Sequence, residues 1–261
     1  MSEKLQNFLS ITSKNQAQFA FQFYRVLTQP ERLKIYQIPN QSGTFLICYK
    51  NFLTFYGHKG TISELLYNVY NQGKLDRTTR WEILFQNHHR TVISNYFDDF
   101  DIIEEAGGEG SYNNLVAMSL NKSNFTPKRQ LKTGKRIRSD LLDHFEEFDP
   151  NLKDIADKGG YIYGILEDTE LKSIASIPFV YKKDNISFAI LHNVYTKEKY
   201  RNKGYGTGSV RSALNFLFTR KAIKSVYLWV DEANPAIHIF KKIGFEHAGN
   251  WIGTRCFLKD L

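Results

Sequence analysis

The sequence predicts a mixed α/β protein whose sheet combines antiparallel and parallel strands. Three observations carry this. The run Ile186–Tyr195, rich in β-formers, leads through a glycine-punctuated loop into Val210, Ala213, Leu214, Leu217 and Phe218, the i, i+3, i+4, i+7 and i+8 spacing of one helix face. A further apolar run, Ser225–Val230, follows that helix, so the two strands form a right-handed parallel crossover. Upstream, Tyr161–Leu166, Leu171–Tyr181 and Ile186–Tyr195 are joined by the short polar links Glu167–Glu170 and Lys182–Asn185, the pattern of an antiparallel meander.

Taken in order, residues 3–27 carry Leu5, Phe8, Leu9, Phe19, Phe23, Val26 and Leu27 and predict one or two helices before Pro30. Thr44–Tyr56 reads as two strands, or one long bent one, with a turn at Asn51. Ser63 stands near the start of a helix over Glu64–Asn71, with Leu65, Leu66, Val69 and Tyr70 on one face and Gly73 as the stop. Trp81–Phe85 reads as a strand and His89–Phe100 as a helix. The adjacent His88 and His89 point apart in either structure, so they are read as surface or core residues and not as metal ligands. The carboxylates Asp98, Asp99, Asp101, Glu104 and Glu105 lack calcium-loop spacing and lead into Gly107–Gly110, a solvated hinge. The domain boundary is placed there, with an N-terminal α/β domain over 1–108 and a second domain over 109–261. Asn114–Leu120 predicts a short strand. Ser139 caps a helix over Asp140–Phe148 whose Leu141, Leu142, Phe145 and Phe148 face one way.

With 261 residues, 42% hydrophobic and 24% charged, the chain has globular composition and room for two domains. Its net charge of +8 serves an anionic cofactor and a solvated face; no dense basic run or RNA-binding motif accompanies it, so a nucleic-acid partner is not expected. The two cysteines, Cys48 and Cys256, lie far apart without paired spacing, which suits a reducing compartment and excludes a thiolate metal cage. No apolar run reaches membrane length and the N-terminus is polar, so the expectation is a cytoplasmic protein without a membrane partner or bound metal.

The chemistry concentrates at Arg201-Asn202-Lys203-Gly204-Tyr205-Gly206-Thr207. A helix begins with backbone N–H groups that lack internal partners, and its dipole makes that end positive. Glycines let a phosphate approach those groups, and Arg201 and Lys203 add two cations, so a pyrophosphate is the expected ligand. The Walker pattern is absent. The dinucleotide fingerprint is met only in part: Ser209 replaces its third glycine, although Asp231 could mimic its ribose-binding acid.

The loop resembles the Arg/Gln-x-x-Gly-x-Gly/Ala coenzyme A motif of the GNAT acyltransferase superfamily. Asn193-Val194-Tyr195-Thr196 resembles that superfamily's pantetheine-pairing strand end, and Asn234-Pro235-Ala236-Ile237-His238-Ile239-Phe240-Lys241-Lys242-Ile243-Gly244-Phe245 its closing motif. The resemblance implies a GNAT acyl-CoA N-acyltransferase fold. The strand–helix–strand order of the first 108 residues hints at a degenerate copy, which would make the chain a tandem. It implies acetyl-CoA as co-substrate, bound by Val194, Tyr195, Thr196, the seven residues Arg201 to Thr207, and Asn234, and transfer of its acetyl group to a primary amine of a small molecule or amino-acid derivative. The alternatives are a catalytically silent coenzyme A module or a tRNA-dependent aminoacyl transferase of tandem type. A homodimer is compatible with either.

His192 is the candidate base, because it lies four residues before Thr196 and strand alternation would give it the face of Val194 and Thr196. At the position of the superfamily's usual tyrosine acid stands Phe240, which cannot donate a proton; Tyr227 and Tyr195 are possible substitutes.

Overall fold

The computed structural model describes residues 8–10, 12, 16, 19–20, 22, 24, 32–39, 41, 43–98, 114–127, 132–145, 148–183 and 186–260. In chain order its elements are β1 (Leu33–Tyr36), β2 (Phe45–Tyr49), β3 (Phe52–Tyr56), α1 (Lys59–Asn71), β4 (Trp81–Phe85), α2 (Arg90–Tyr96), β5 (Asn114–Asn121), β6 (Lys135–Arg136), α3 (Leu152–Asp157), β7 (Tyr161–Glu167), β8 (Glu170–Lys183), β9 (Ile186–Thr196), α4 (Tyr205–Asn215), β10 (Ser225–Asp231), α5 (Ala236–Ile243) and β11 (Glu246–Cys256). The mixed α/β class is as expected from the sequence. The chain divides into two compact units, Met1–Ala117 with Val230–Asn234 and Ala248–Leu261, and Met118–Trp229 with Pro235–His247. The boundary placed at residue 108 lies outside the described residues.

In the first unit β1, β2 and β3 form an antiparallel meander, with β2 and β3 joined by a tight turn at Lys50 and Asn51. The helix α1 then carries the chain to β4, which pairs parallel with β3. Ile62, Leu65, Leu66, Val69 and Tyr70 of α1 are buried against Leu53, Phe55, Trp81, Ile83 and Phe85, so the apolar stripe read from the sequence is the core face. The helix starts at Lys59, earlier than the Ser63 region expected, because His58 caps it: its Nδ1 accepts from the Gly60 N–H at 3.3 Å. The strand β11 pairs antiparallel with β4, from Trp81↔Cys256 to Phe85↔Ile252.

The second unit repeats that order. β6, β7, β8 and β9 are antiparallel, and α4 leads to β10, parallel to β9. Val210, Ala213, Leu214, Leu217 and Phe218 are all buried, as their spacing predicts. The helix continues past Asn215 as one π turn, Phe216–Arg220. One face of this sheet carries α4: Tyr161 and Tyr163 meet Phe216, and Ser173 Oγ bonds Ser209 Oγ at 2.7 Å. A second apolar cluster joins Ile162 and Ile174 to Leu142, Phe145, Phe148 and Leu152. On alternating strands these isoleucines have the opposite parity to Tyr161, Tyr163 and Ser173, so this cluster lies on the face away from α4.

Several expectations need correction. The α-helix expected over Asp140–Phe148 is a 3₁₀-helix over Ser139–Phe145. Leu142, Phe145 and Phe148 repeat every three residues, and side chains three apart eclipse in a 3₁₀-helix, so the same pattern serves either form. The helix expected over His89–Phe100 is a 3₁₀ turn, Asn87–His89, followed by α2. The strands β1, β6 and β11 and the helix α3 were not read from the sequence. Of the helices expected over 3–27, only Phe8–Ser10, Thr12, Gln16, Phe19–Ala20, Gln22 and Tyr24 are described, all helical; the remainder lies outside the described residues.

Candidate functional site

The site begins where β9 and β10 part. Their parallel ladder runs over Phe188↔Ser225, Ala189↔Val226 and Ile190↔Tyr227, and among the described residues it ends there, short of Thr196 and Asp231. At the same level β9 is bulged. Across the β8–β9 pair, Ile174 faces Tyr195 and Ser176 faces His192, so Asn193 and Val194 together oppose Ala175 alone. Asn193 takes the left-handed conformation (φ 45°) that such an insertion needs. A second bulge follows on β8, where Ile177 and Pro178 oppose Leu191. Proline has no N–H for the ladder, so the strand accommodates it at an irregularity.

The bulge changes which residues share a face. Ile174 and Ser176 are two apart on unbulged backbone and share a face, so their partners Tyr195 and His192 share one as well. This corrects the expectation that His192 lies with Thr196. Thr196 is instead the partner of Ser173, on the side of α4. Tyr195 turns to the other side, where Phe148 meets it edge-on at 5.3 Å.

On the α4 side, Thr196 meets the glycine loop. Gly204 is the N-cap of α4 in the left-handed region (φ 82°), and no side chain caps the helix. A Cβ on Gly206 would lie 2.8 Å from Thr196 Oγ1, so the loop and the strand approach more closely than any other residue allows. Tyr205 and Gly206 are buried, Thr207 is half-buried, and Arg201, Asn202, Lys203 and Gly204 are exposed. Asn202 also has positive φ (60°), turning the loop towards the helix.

The cations around this loop fall into two groups. Lys132, Lys172 and the Tyr205 hydroxyl converge on Glu167, whose carboxyl these bonds hold down at about 2. Lys199 and Tyr200 bond Glu170, and Lys197 lies beside it, with the same result. Arg201 and Lys203 are different. Arg201 Nε donates to Thr196 O at 3.2 Å and Lys203 Nζ to Lys199 O at 3.0 Å; among the described residues neither has a carboxylate partner. The two cations left for an external anion flank the uncapped helix start.

His192 is exposed, yet the protein packed around it desolvates the imidazole. Desolvation lowers its pKa below the ordinary imidazole value, and the nearby Asp149 charge opposes that shift. The imidazole is therefore neutral at pH 7. Asp149 is a residue sequence reasoning missed: its Oδ2 accepts from Asn193 Nδ2 and its Oδ1 from Asn151 N and Nδ2 at 2.8 and 3.0 Å. Nothing local marks it, because it reaches β9 from 44 residues upstream.

Phe240 is buried in α5, edge-on to Phe245 at 5.7 Å. The Tyr227 hydroxyl is buried and bonded towards Ser225, and burial pushes its pKa up. Asn234 is exposed in the turn after β10, its N–H donating to Asp231 O at 2.9 Å. Val194 and Thr196 are half-buried and Tyr195 is exposed. Among the described residues no group of three or more His, Cys, Asp or Glu is placed to hold a metal ion, and no helix is long and apolar enough to cross a membrane.

Parted parallel strands, a bulge at their fork and a glycine-started helix flanked by Arg201 and Lys203 belong to a fold of the acyltransferase class. Residues 130–245 match the family model described as Acetyltransferase (GNAT) family, so this part of the chain is a GNAT domain. Solved structures extend the fold likeness across both units. A GCN5-related N-acetyltransferase from Kribbella flavida superposes with TM-score 0.60 at 9% identity, over 92% of this chain and 95% of that one. An acetyltransferase of the GNAT family from Colwellia psychrerythraea gives TM-score 0.57 at 11% identity, over 96% and 97%. A tandem GNAT protein from the clavulanic acid biosynthesis pathway gives 0.59 at 10%, over 88% and 85%. No curated protein matches the sequence.

Proposed function

We infer that the protein is an N-acetyltransferase that moves an acetyl group from acetyl-CoA to a primary amine. The observation that carries this is the fork itself: the β9–β10 ladder ends beside an uncapped α4 whose flanking cations lack carboxylate partners. Acetyl-CoA, when bound, supplies the acetyl group as a thioester. The N–H groups at the start of α4, with Arg201 and Lys203, suit its pyrophosphate. The backbone of Val194 and Thr196 along the open edge suits the amides of its pantetheine arm, as in strand addition.

His192, neutral at pH 7 and open to solvent, suits the removal of a proton from the incoming ammonium, leaving a neutral amine nucleophile. The bulge matters to this because it turns His192 to the face away from α4, so that amine and cofactor enter from opposite sides of the strand. Phe240 has no hydroxyl to give; the Tyr227 hydroxyl is buried and bonded towards Ser225, and the Tyr195 ring packs on Phe148. Thiolate is a tolerable leaving group, its conjugate thiol having a pKa of about 8.5, so departure without an acid remains feasible.

The test is calorimetry with coenzyme A, followed by mass spectrometry of an amine panel incubated with acetyl-CoA. Binding should weaken roughly tenfold in Arg201→Ala, the loss of one charge-assisted contact. His192→Gln should lower turnover by roughly 10²–10⁴ while leaving coenzyme A affinity unchanged. Binding without any acetylated product would favour the second reading, a silent coenzyme A module, for which the buried Phe240 speaks.

A further inference from the structure

The face of the sheet away from α4 holds a half-buried carboxylate, Asp149, that has no cationic side chain paired with it among the described residues. Asp149 follows Phe148, whose ring packs against Tyr195, and it stands near enough to His192 to raise the imidazole's pKa. An ionised carboxylate offers about four lone-pair sites. Asn151 fills two on Oδ1 and Asn193 fills one on Oδ2. Among the described residues no donor fills the remaining site, on the oxygen that faces β9. No lysine or arginine among the described residues pairs with this carboxylate, in a chain that carries 35 such residues and has neutralised Glu167 and Glu170 with several.

The plain structural role is an Asx turn opening α3, in which Asn151 N–H and Leu152 N–H bond Asp149. That turn uses Oδ1 and the carbonyl. It does not account for Oδ2, which binds the bulge residue of a strand 44 residues away and lies beside the imidazole.

We propose that Asp149 receives the ammonium group of the acceptor, so that the amines this protein takes are those cationic at neutral pH, alkylamines and not arylamines. This rests on the amine-acetylating reading above. The carboxylate binds the cation and positions its nitrogen at His192, while Asn193 ties the carboxylate to the bulge. Phe148 and Tyr195 form an apolar wall for the carbon chain or ring that carries the amine. Asp149 is thus a recognition and positioning residue, and His192 keeps the proton chemistry.

The experiment uses the full chain with benzylamine, cationic at pH 7, and aniline, neutral there and nearly the same shape. Binding is read from the His192 ring resonances by NMR, with and without coenzyme A, and KM is measured with acetyl-CoA. Asp149→Asn keeps the shape and the Asx turn. It should weaken benzylamine roughly tenfold in Kd and KM, leave aniline within about twofold, and lower the His192 titration midpoint. Asp149→Glu should restore part of the benzylamine affinity. Equal losses for both amines, no loss for benzylamine, or an unmoved His192 midpoint would each overturn the proposal. A chain that fails to bind coenzyme A would defeat the acetyltransfer reading, while the benzylamine titration and the His192 midpoint would still decide the role of Asp149.

Discussion

The molecule contains the same five-element order twice, and the two versions treat the start of their crossover helix in opposite ways. In β1–β2–β3–α1–β4 only Gly57 and His58 separate strand from helix, and the His58 imidazole caps the first turn. In β7–β8–β9–α4–β10 the connection runs from Lys197 to Gly204, and no side chain caps α4. β3 is five residues long and regular; β9 is eleven, bulged at Asn193, and loses its parallel partner after Ile190. One order of strands and helices therefore yields either a helix start closed by a side chain or one left open. The difference lies in a few residues that fill or vacate a helix terminus.

The sharpest way to break this contrast is at Gly206. Gly206→Asp brings a side chain against Thr196 and a negative charge to the helix start, and coenzyme A affinity should fall by at least roughly a hundredfold, read by calorimetry on folded protein. Unchanged affinity would mean that the open terminus is not the ligand site.

The closed unit has its own vulnerability, next in size. His89 is fully buried, with Nε2 donating to Gly57 O at 2.8 Å and Nδ1 buried without a partner. Desolvation drives its pKa from 6.5 to about 4. Between those values the unfolded chain binds the proton and the folded chain does not, so stability is full above pH 6.5 and declines as pH falls towards 4. The loss should be roughly 2–3 kcal/mol, measured by denaturant unfolding across that window, and a His89→Phe variant should lack this pH dependence.

Phe240→Tyr places a hydroxyl in a buried position, and a destabilisation of about 1–3 kcal/mol is expected from thermal unfolding. Raised turnover at unchanged stability would instead put that ring beside the departing sulfur. The control for the comparison is His58→Ala, which should cost the first unit about 1 kcal/mol through its lost cap and leave coenzyme A affinity unaltered. The smallest effect concerns Glu167 and Glu170. Their carboxyls titrate at about 2 when folded, below the ordinary 4.5, so their ion pairs support the loop above pH 4.5 and are lost as pH falls towards 2. Salt should weaken this contribution, since solvent screens such pairs; coenzyme A binding against ionic strength in the charge-neutralised Glu167→Gln variant would show it.

What the sequence disclosed follows from how local each feature is. The glycine loop, the α4 stripe and the meander are written in consecutive residues, because backbone approach and amphipathic periodicity are local demands. The face of His192 was misread because one inserted residue inverts strand alternation, and the sign of irregularity in this hairpin, Pro178, stands on the partner strand. Asp149 was invisible because its partner Asn193 is distant in the chain. β11 was missed because Gly249 and Gly253 interrupt its strand-forming residues, and its place is set by pairing with β4. The 3₁₀-helix was read as an α-helix because a three-residue repeat fits both.

The paired bulges of the β8–β9 hairpin behave like a frameshift and its suppressor. Ile174 and Tyr195 sit in one reading frame of the ladder, the extra residue on β9 shifts that frame by one, and the extra residue on β8 restores it at Phe179 and Ile190. Only Ser176 and His192 are read in the shifted frame. A lineage could therefore not drop either insertion alone without throwing the outer hairpin, from Phe179 to Ile190, onto the wrong faces. Closing both bulges together, with no residue lost, would leave an unbulged hairpin in a single frame, with His192 on the face of Thr196.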